Sequence, residues 1–584
     1  MRRLIRFSLV GGALCSAAAL FSTSVCAAQS SVPQPAPFVA PTIPSPYATS
    51  TLGSTYVPVD SWMYPALDRL HALGYLDTAY LGLRPWTRLQ IVHMLEESAH
   101  RMVLDGETNP QTIALYKALW NAVEPSLSHP TTLTSPNTEL DSVYQIFRGM
   151  SGTPLRDSYH LGQTMINDYG RPYQHGFNDY TGFSTRSQAG RWSLYFRGEY
   201  QHAPHGIGYD GALASYLSNE IDYIPYNPNL RYDTLPAGEI PSVNDFRILE
   251  ANLGYHLWGN EISFGKTDHW LSPDQGASMM WSNNAENLYT FQINDTAPFR
   301  VPLLSYLTGP FRYEFFVGSL KGHTYPNSPW VHMEKISFKP TRNLEIGFDR
   351  AVIWGGKGHE PITFGTFWQS FKSFQNVYGI KFTRKDPGAR FSSFDFNYRL
   401  PFLRKWVTLY TDSLVHDDVS PIDAPRRAGW APGIYLDRVP GLPNLDLRVE
   451  GYSTDPASNS VQQGQFLEYE TVQKQGNTNN GFVYGSWIGR ENKGGQAWLT
   501  YHLSPEEYVQ FNYHRTKASS SFFEGGSTQN DYKFSVVKRI DSQFELSGYV
   551  QVERWKIPIY KPGTNGDTTA EFQITWLPNY KNLF

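Results

Sequence analysis

From about residue 144 onward the chain keeps a two-residue period that no helix can hold. In 508–514, Val509, Phe511 and Tyr513 alternate with Gln510, Asn512 and His514; in 571–576, Phe572, Ile574 and Trp576 alternate with Glu571, Gln573 and Thr575. Phe394, Phe396 and Tyr398 stand against Asp395, Asn397 and Arg399 in the same way. So do Phe544, Leu546, Gly548, Val550 and Val552 against Glu545, Ser547, Tyr549, Gln551 and Glu553. Successive side chains of a strand point to opposite faces, so each window has one apolar face and one that carries ionisable groups. Roughly twenty such windows of about ten residues follow one another between Asp157 and Trp576, parted by Pro, Gly, Asn and Asp clusters, which is the repeat of a transmembrane β-barrel.

A soluble sandwich or propeller also alternates, but its inner face would be Val, Ile and Leu. Here the apolar face is rich in rings. The chain has 37 Tyr, 34 Phe and 16 Trp, or 15% aromatic, with 17% charged residues, well under the roughly 25% charged residues of soluble domains. Rings that flank the windows, such as Trp406, Tyr410, Trp487, Trp498 and Trp555, are read as girdles at the two bilayer interfaces. With 40% hydrophobic residues and a formal charge of -4, the chain is neither disordered nor a nucleic-acid binder. After residue 28 no apolar run reaches the about 18 residues of a membrane-spanning helix. A closed barrel spans without one, because closure pairs every backbone N–H and C=O. Near the C-terminus, 557–567 and 517–529 read as outside loops, and 541–542 and 504–505 as short inside turns. Segment 455–480 is long enough to hold a further strand. The terminal Phe584 suits outer-membrane assembly.

Three segments precede the barrel. Residues 1–28 read as a signal peptide: Arg2, Arg3 and Arg6 lead into the apolar run from Leu9 to Phe21, and Ala27 and Ala28 offer a cleavage site. Cleavage there removes Cys15 and Cys26, the only cysteines; a lipoprotein anchored through Cys26 is the alternative. Residues 29–53 form a proline-rich linker. Residues 54–135 read as a small periplasmic helical domain. Its first helix is capped by Asp60 and ends near Gly74; its second opens on a Thr87–Gln90 capping box; its third starts at Asn109-Pro110. The barrel takes 136–584.

A resemblance supports this division. The segment Tyr56-Val-Pro-Val-Asp-Ser-Trp62, with Tyr64-Pro-Ala-Leu67, Leu73-Gly-Tyr75 and Arg84-Pro-Trp-Thr-Arg88, resembles the N-terminal helical domain of the Wzi-type capsule-assembly outer-membrane proteins. Further matches are Trp281-Ser-Asn-Asn-Ala285, Pro401-Phe-Leu-Arg-Lys-Trp406, Pro432-Gly-Ile-Tyr435, Pro440-Gly-Leu-Pro443 with Leu447-Arg-Val-Glu-Gly451, Ile488-Gly-Arg490 with Gly495-Gln-Ala-Trp498, and Phe572-Gln-Ile-Thr-Trp576. Their order, from Tyr56 to the C-terminus, carries the likeness. It implies a mainly β protein, an outer-membrane barrel of about 18 antiparallel strands with a helical bundle on the periplasmic side. It implies a lectin-like role in organising capsular polysaccharide, a related exopolysaccharide or O-antigen, with no catalysis.

The residues themselves show no catalytic motif: there is no G-x-S-x-G, no phosphate loop and no H-E-x-x-H, since His359-Glu360 runs into Pro361. Gly355-Gly-Lys-Gly358 reads as a flexible loop, and Asp417-Asp418 beside His416 as an exposed acidic loop. No cofactor or metal is expected. Sugar sites pair aromatic faces with planar amides, carboxylates and guanidinium groups. Trp270, Trp281, Asn283 and Asn284 in one loop, and Arg426, Arg427 and Trp430 in another, are therefore the candidate polysaccharide contacts, beside a tyrosine-rich stretch that includes Tyr223. The tyrosine-rich stretch carries Tyr209, Tyr216, Tyr223, Tyr226 and Tyr232 with Asn227 and Asn229. The expected partners are surface polysaccharide, outer-membrane lipids and lipopolysaccharide, the expected state a monomer. A substrate-selective porin for sugars or small solutes shares the barrel and is the alternative.

Overall fold

The computed structural model describes residues 38–41, 52–123, 131–373, 378–457 and 464–578. The leader, nearly all of the proline-rich segment and Phe584 lie outside them. One antiparallel sheet closes on itself. Its strands are β1 (Asn137–Gly152), β2 (Gly176–Ala189), β3 (Trp192–Ala203), β4 (Val243–Leu257), β5 (Asn260–Lys266) and β6 (Tyr289–Asp295). Then come β7 (Phe311–Ser319), β8 (Trp330–Thr341), β9 (Leu344–Trp354), β10 (Ala389–Arg399), β11 (Val407–His416) and β12 (Gly429–Leu436). The last six are β13 (Leu445–Ser453), β14 (Asn492–His502), β15 (Tyr508–Ala518), β16 (Thr528–Arg539), β17 (Phe544–Ile557) and β18, which is Lys561–Asn565 continued after Gly566 as Asp567–Trp576. The nineteen hydrogen-bonded segments thus make eighteen strands, the number the resemblance implies. β18 returns to β1 with Trp576 opposite Val143 and Asp567 opposite Gly152, which leaves no edge.

The two-residue period sorts the faces as expected. Phe511, Phe534, Val550, Phe572, Ile574 and Trp576 are exposed on the outer wall, while their neighbours Asn512, His514, Gln551 and Glu553 are buried toward the lumen. Connections are short at one end, as at 190–191, 342–343 and 540–543, and long at the other, as at 153–175, 204–242, 267–288, 355–388 and 454–491. That asymmetry marks the outside. The described part of segment 455–480 adds no barrel strand; it belongs to a long loop that turns inward.

Exposed rings stand near both rims: Trp192, Trp258, Tyr501 and Trp576 at the turn end, Tyr200, Tyr289 and Tyr532 at the loop end. Trp406 is also exposed. Four rings expected in the girdles are not there. Tyr410, Trp487, Trp498 and Trp555 are buried; Trp498 shares the lumen face of β14 with Gln496 and Thr500, and the Tyr410 hydroxyl donates to Glu450 at 2.7 Å. Alternation separates two faces, but a large ring fills a lumen as readily as it lines an interface.

Among the described residues three helices precede the barrel: α1 (Met63–Ala72), α2 (Arg88–Leu104) and α3 (Pro110–Val123). The Thr87–Gln90 box forms in both directions, at 3.2 and 2.8 Å. Asp60 does not cap α1, which starts after Trp62 with no side-chain cap. Its carboxylate instead takes the Arg197 guanidinium of β3 at 2.9 Å, a charged pair that is stronger than a cap. Leu67, Leu70, Trp86, Ile91, Leu95, Tyr116 and Leu119 form the bundle core. The bundle docks on the turn end of the barrel. Backbone N–H groups of Leu81 and Gly82 donate to Glu345 at 2.9 and 3.0 Å, the Tyr80 hydroxyl to the Pro310 carbonyl at 2.8 Å, and Arg399 to the His71 carbonyl at 2.7 Å. Asp77 gathers Arg399, Arg404 at 2.5 Å and Arg101 at 2.6 Å. Burial alone would raise its carboxyl, but the three guanidinium groups hold it below the usual range.

Candidate functional site

The loops 153–175, 267–288 and 464–491 fold into the loop end of the lumen. Irregular backbone at membrane depth needs a partner for each N–H, and carboxylates on the wall supply them. Glu450 of β13 accepts from Gln275 and Gly276 at 2.8 and 2.9 Å, and Asp412 of β11 from Met279 at 2.7 Å. Around these bonds Leu271, Met279, Met280 and Trp281 pack against Phe316, Met333, Ile353, Phe391 and Leu414 of the wall, every one 2% exposed or less. The outer half of the lumen is therefore a packed core.

Trp270, Trp281, Asn283 and Asn284 are brought together, but inside this plug and at most 5% exposed. The Trp281 ring stacks on Tyr484 at 4.1 Å and meets Phe316 edge-on at 4.8 Å. Trp270 exchanges two backbone hydrogen bonds of 3.0 Å with Arg84, below the plug, which links it to the bundle segment. Asn284 accepts from the Asn167 N–H and donates to the Val483 carbonyl, both at 2.9 Å, and the Asn283 carbonyl accepts from Tyr169 at 2.8 Å. These rings and amides are thus committed to partners within the protein. The sequence expects these four to touch sugar; in the structure they pack the plug and satisfy its backbone, which are also the needs of a buried, irregular loop.

Arg426, Arg427 and Trp430 lie apart from them. Arg426 and Arg427 are exposed in the 417–428 loop; Arg427 pairs with Asp418 at 3.2 Å and lies over the Phe466 ring at 5.1 Å. Trp430 alternates with the lumen-facing Ala431 on β12, so its ring is on the outer wall, with Nε1–H donating to the Pro425 carbonyl at 3.0 Å. From Phe466 the chain runs to Glu470, which holds Lys381 at 2.7 Å, and on to Lys474, whose ammonium donates to the carbonyl of the exposed Tyr223. Burial would raise the Glu470 carboxyl, but Lys381 brings it down to about 2. Arg426, Arg427, Lys474 and Tyr223 thus mark a cationic and aromatic strip on the outer loops, with Lys381 held beneath it by Glu470 and Asp417. Arg426, Arg427 and Tyr223 belong to stretches that the sequence singles out, but nothing local announces Lys381 and Lys474 beside them, since the five come from four loops.

A buried ionic knot holds these loops down. His160 lies between Asp157, 2.9 Å from Nδ1, and Asp222, 3.0 Å from Nε2. Arg490 reaches Asp222 at 2.6 Å with its guanidinium 4.3 Å from the Tyr159 ring. Burial alone would lower the imidazole, yet the two carboxylates raise it to about 9, so it is cationic at neutral pH.

Below the plug, between the bundle and strands β1–β3 and β15–β18, is a polar chamber of about 640 Å³. Its roof includes Asn167, Tyr169 and Gln275. On its walls Arg148 pairs with Asp168 and Glu571 at 2.8 and 2.6 Å, and the Lys533 ammonium sits 3.7 Å over the Tyr549 ring. Gly182 faces Tyr144 across β1 and β2; a Cβ there would come within 2.3 Å of the ring, so glycine lets the tyrosine lie flat against the wall. Among the described residues no group of three or more His, Cys, Asp or Glu is placed to hold a metal ion.

An eighteen-stranded barrel with a loop-filled lumen and a helical bundle docked at its turn end defines an integral outer-membrane protein of the plugged-barrel class. The chain belongs to the capsule assembly protein Wzi family, whose sequence model matches residues 147–570. It is similar to Wzi of Escherichia coli, an outer membrane protein involved in group 1 capsule assembly and a carbohydrate-binding β-barrel: TM-score 0.62, 14% identity, 90% of this chain and 99% of that one covered. An uncharacterized 55.8 kDa protein of the cps region of Klebsiella pneumoniae is 26% identical over 223 residues, 37% of this chain, and the match spans only 43% of that relative. A BenF-like porin of Pseudomonas fluorescens aligns at a TM-score of 0.39 and 8% identity, over 76% of this chain and 99% of that one.

Proposed function

We propose that this protein binds a surface polysaccharide, capsule or a related exopolysaccharide or O-antigen, and helps attach or assemble it at the cell surface. The observation that carries this reading is the packed core in the outer half of the lumen, which favours contact on the outer loops over passage through the barrel. The porin alternative needs a continuous polar path. The proposed contacts are Arg426, Arg427 and Tyr223, with Trp430 at the rim. Guanidinium groups hydrogen-bond hydroxyls and acidic sugars, and an exposed ring stacks on C–H faces. Trp270, Trp281, Asn283 and Asn284 serve this site from below, as the floor on which the loops rest.

The role is non-catalytic. His160, the most strongly held imidazole of the loops, spends both nitrogens on carboxylates and leaves none to activate a nucleophile. The leader and linker, the periplasmic position of the bundle, a monomeric state and contacts to outer-membrane lipid and lipopolysaccharide complete the reading. Deleting the protein should release polymer into the medium without reducing the total made, and the purified barrel should bind the polymer on a glycan array. A purified barrel that conducts small sugars steadily and binds no polymer would replace this reading with the porin.

A further inference from the structure

Loop 355–388 touches the plug loop through Gly355 and Lys381, but the described part between them leaves the lumen. Past β9, Gly355, Gly356 and Gly358 take φ values of 67°, 112° and 91°, where glycine alone is at ease, and the chain turns outward over the rim. A helix, α4 (Phe364–Lys372), follows, opened by Thr363, whose hydroxyl accepts from the Thr366 N–H at 3.2 Å. This helix lies on the outer wall. His332 and Glu334 on β8 alternate with the lumen-facing Val331, Met333 and Lys335, and Arg350, Val352 and Trp354 on β9 alternate with Ala351 and Ile353. They belong to the lipid face, as does Phe315 beside the lumen-facing Phe316. His332, Val352 and Trp354 are nevertheless 2% exposed or less.

What covers them is α4. Phe367 packs 5.4 Å from His332 and 5.8 Å from Trp354, and Phe371 6.4 Å from Phe315. Arg350 donates to the Phe371 and Ser370 carbonyls at 2.8 and 2.9 Å, the open C-terminal end of the helix. His332 bonds the Ser370 hydroxyl at 2.8 Å and Glu334 at 2.6 Å. Polar groups that a lipid face tolerates poorly are thereby sealed. His332 is two residues from the loop end of β8, which sets the helix at the depth of the outer leaflet.

The far side of α4 is unlike ordinary barrel wall. Phe364 and Trp368 are 78% and 49% exposed, and Phe382 beyond them 72%. The Gln369 amide donates to the Lys385 carbonyl, which keeps the 382–385 turn beside the helix. Lys372, Arg384 and Lys385 are exposed; among the described residues no carboxylate forms an ion pair with any of them, and Glu360 alone is near enough to feel the Arg384 charge. Exposed rings bordered by unpaired cations are the signature of an interfacial element that meets both acyl chains and anionic headgroups.

We propose that α4 and the 382–385 turn form a lateral binding site for a phosphorylated glycolipid of the outer leaflet, the lipid A portion of lipopolysaccharide. Its acyl chains lie along Trp368 and its phosphates meet Arg384 and Lys385. The site rests on the reading of lipopolysaccharide as a partner and is separate from polysaccharide binding.

Native mass spectrometry of the full-length protein, mixed in detergent with lipid A, with dephosphorylated lipid A or with phosphatidylglycerol, tests it. The wild type should retain one lipid A. The double change Arg384→Glu with Lys385→Glu should cut retention at least tenfold, and Trp368→Ala less, with heat-modifiable migration of the barrel unchanged. Should the charge reversal prevent folding, the milder Arg384→Gln with Lys385→Gln gives the same reading with a smaller drop. Equal retention of dephosphorylated lipid A or of phosphatidylglycerol, or no effect of the charge changes in a folded barrel, would overturn the proposal. Polysaccharide binding by the same variants should be unaltered, so the failure of either reading is visible without the other.

Discussion

The imidazole of His160 and the carboxylate of Asp222, 62 residues apart in the chain, meet at 3.0 Å in a fully buried site. The bond ties the short hairpin after β1 to the loop after β3, and Arg490 extends the tie to the loop before β14. The imidazole is raised from 6.5 to about 9 in the folded protein, so its contribution is fully present below about pH 6.5 and is lost as pH rises through about 9. The shift corresponds to on the order of 3 kcal/mol. Asp222 is lowered and acts in the opposite sense, losing its contribution in acid as pH falls through its folded value. Hydrogen exchange of the 204–242 loop, followed from pH 6 to 10, should rise steeply near pH 9. In His160→Gln it should already be fast at pH 7 and change little with pH beyond the intrinsic rate.

The bundle should depend on one carboxylate. Asp77→Asn leaves Arg399 and Arg404 without their counter-charge at a buried contact, which costs about 3–5 kcal/mol. Limited proteolysis of the outer-membrane protein should then cut within 63–123 while the barrel stays protected. Equal protection of variant and wild type would mean that the remaining docking bonds suffice.

Arginine placed on the two faces of β15 should behave differently. Phe511→Arg, on the lipid face, should cost about 2–4 kcal/mol near mid-membrane. Gln510→Arg points into the lumen, where Gln510 now donates to Thr500 at 3.0 Å, and should cost much less. Urea unfolding in bilayers measures both, and similar costs would contradict the assignment of faces.

Wild-type protein in planar bilayers should show no steady conductance. Trp281→Ala removes the ring that joins Tyr484 to Phe316 and should destabilise the plug by about 3–5 kcal/mol, seen as transient openings and a lower unfolding temperature. Steady wild-type currents would show that ions find a way past the core.

Arg426→Ala and Arg427→Ala should weaken polymer binding with the barrel still folded. A charged hydrogen bond contributes about 1.5–3 kcal/mol, and repetition along a polymer magnifies each loss through avidity. Surface plasmon resonance on immobilised polysaccharide gives the comparison, with Phe511→Tyr as a wall control that should bind as the wild type does.

Much of the barrel could be read from the chain because a strand half in lipid and half in a polar lumen writes its environment at every second residue, as at Phe572 to Trp576. The Thr87–Gln90 box was legible for a similar reason, since its bonds are local. The plug was not. Trp281 and Asn284 look like a sugar site in sequence because an irregular buried loop and a sugar platform draw on the same rings and amides, and only the third dimension tells which partner they have. Trp498 and Trp555 misled for want of a rule that says which face of a strand looks inward. The outer helix did leave a signal: Phe364, Phe367, Trp368 and Phe371 recur at steps of three and four, a helical stripe inside a β-protein.

The seam between β1 and β18 has a temporal meaning. It joins residues as distant as Arg148 and Glu571, 423 positions apart, so it is the contact with the largest loop-closure entropy and the last that a growing sheet can make. Until it forms, the first strand and the final one are open edges able to recruit foreign strands, and the helical bundle, translated before any of the wall, must wait beside an unfinished cylinder. The order of chain synthesis and the order of assembly therefore differ: the first wall strand to be made is, with the final one, the last to be fully paired. A lesion at this seam should be seen first as lost biogenesis, with the mature barrel scarcely weakened once it has closed.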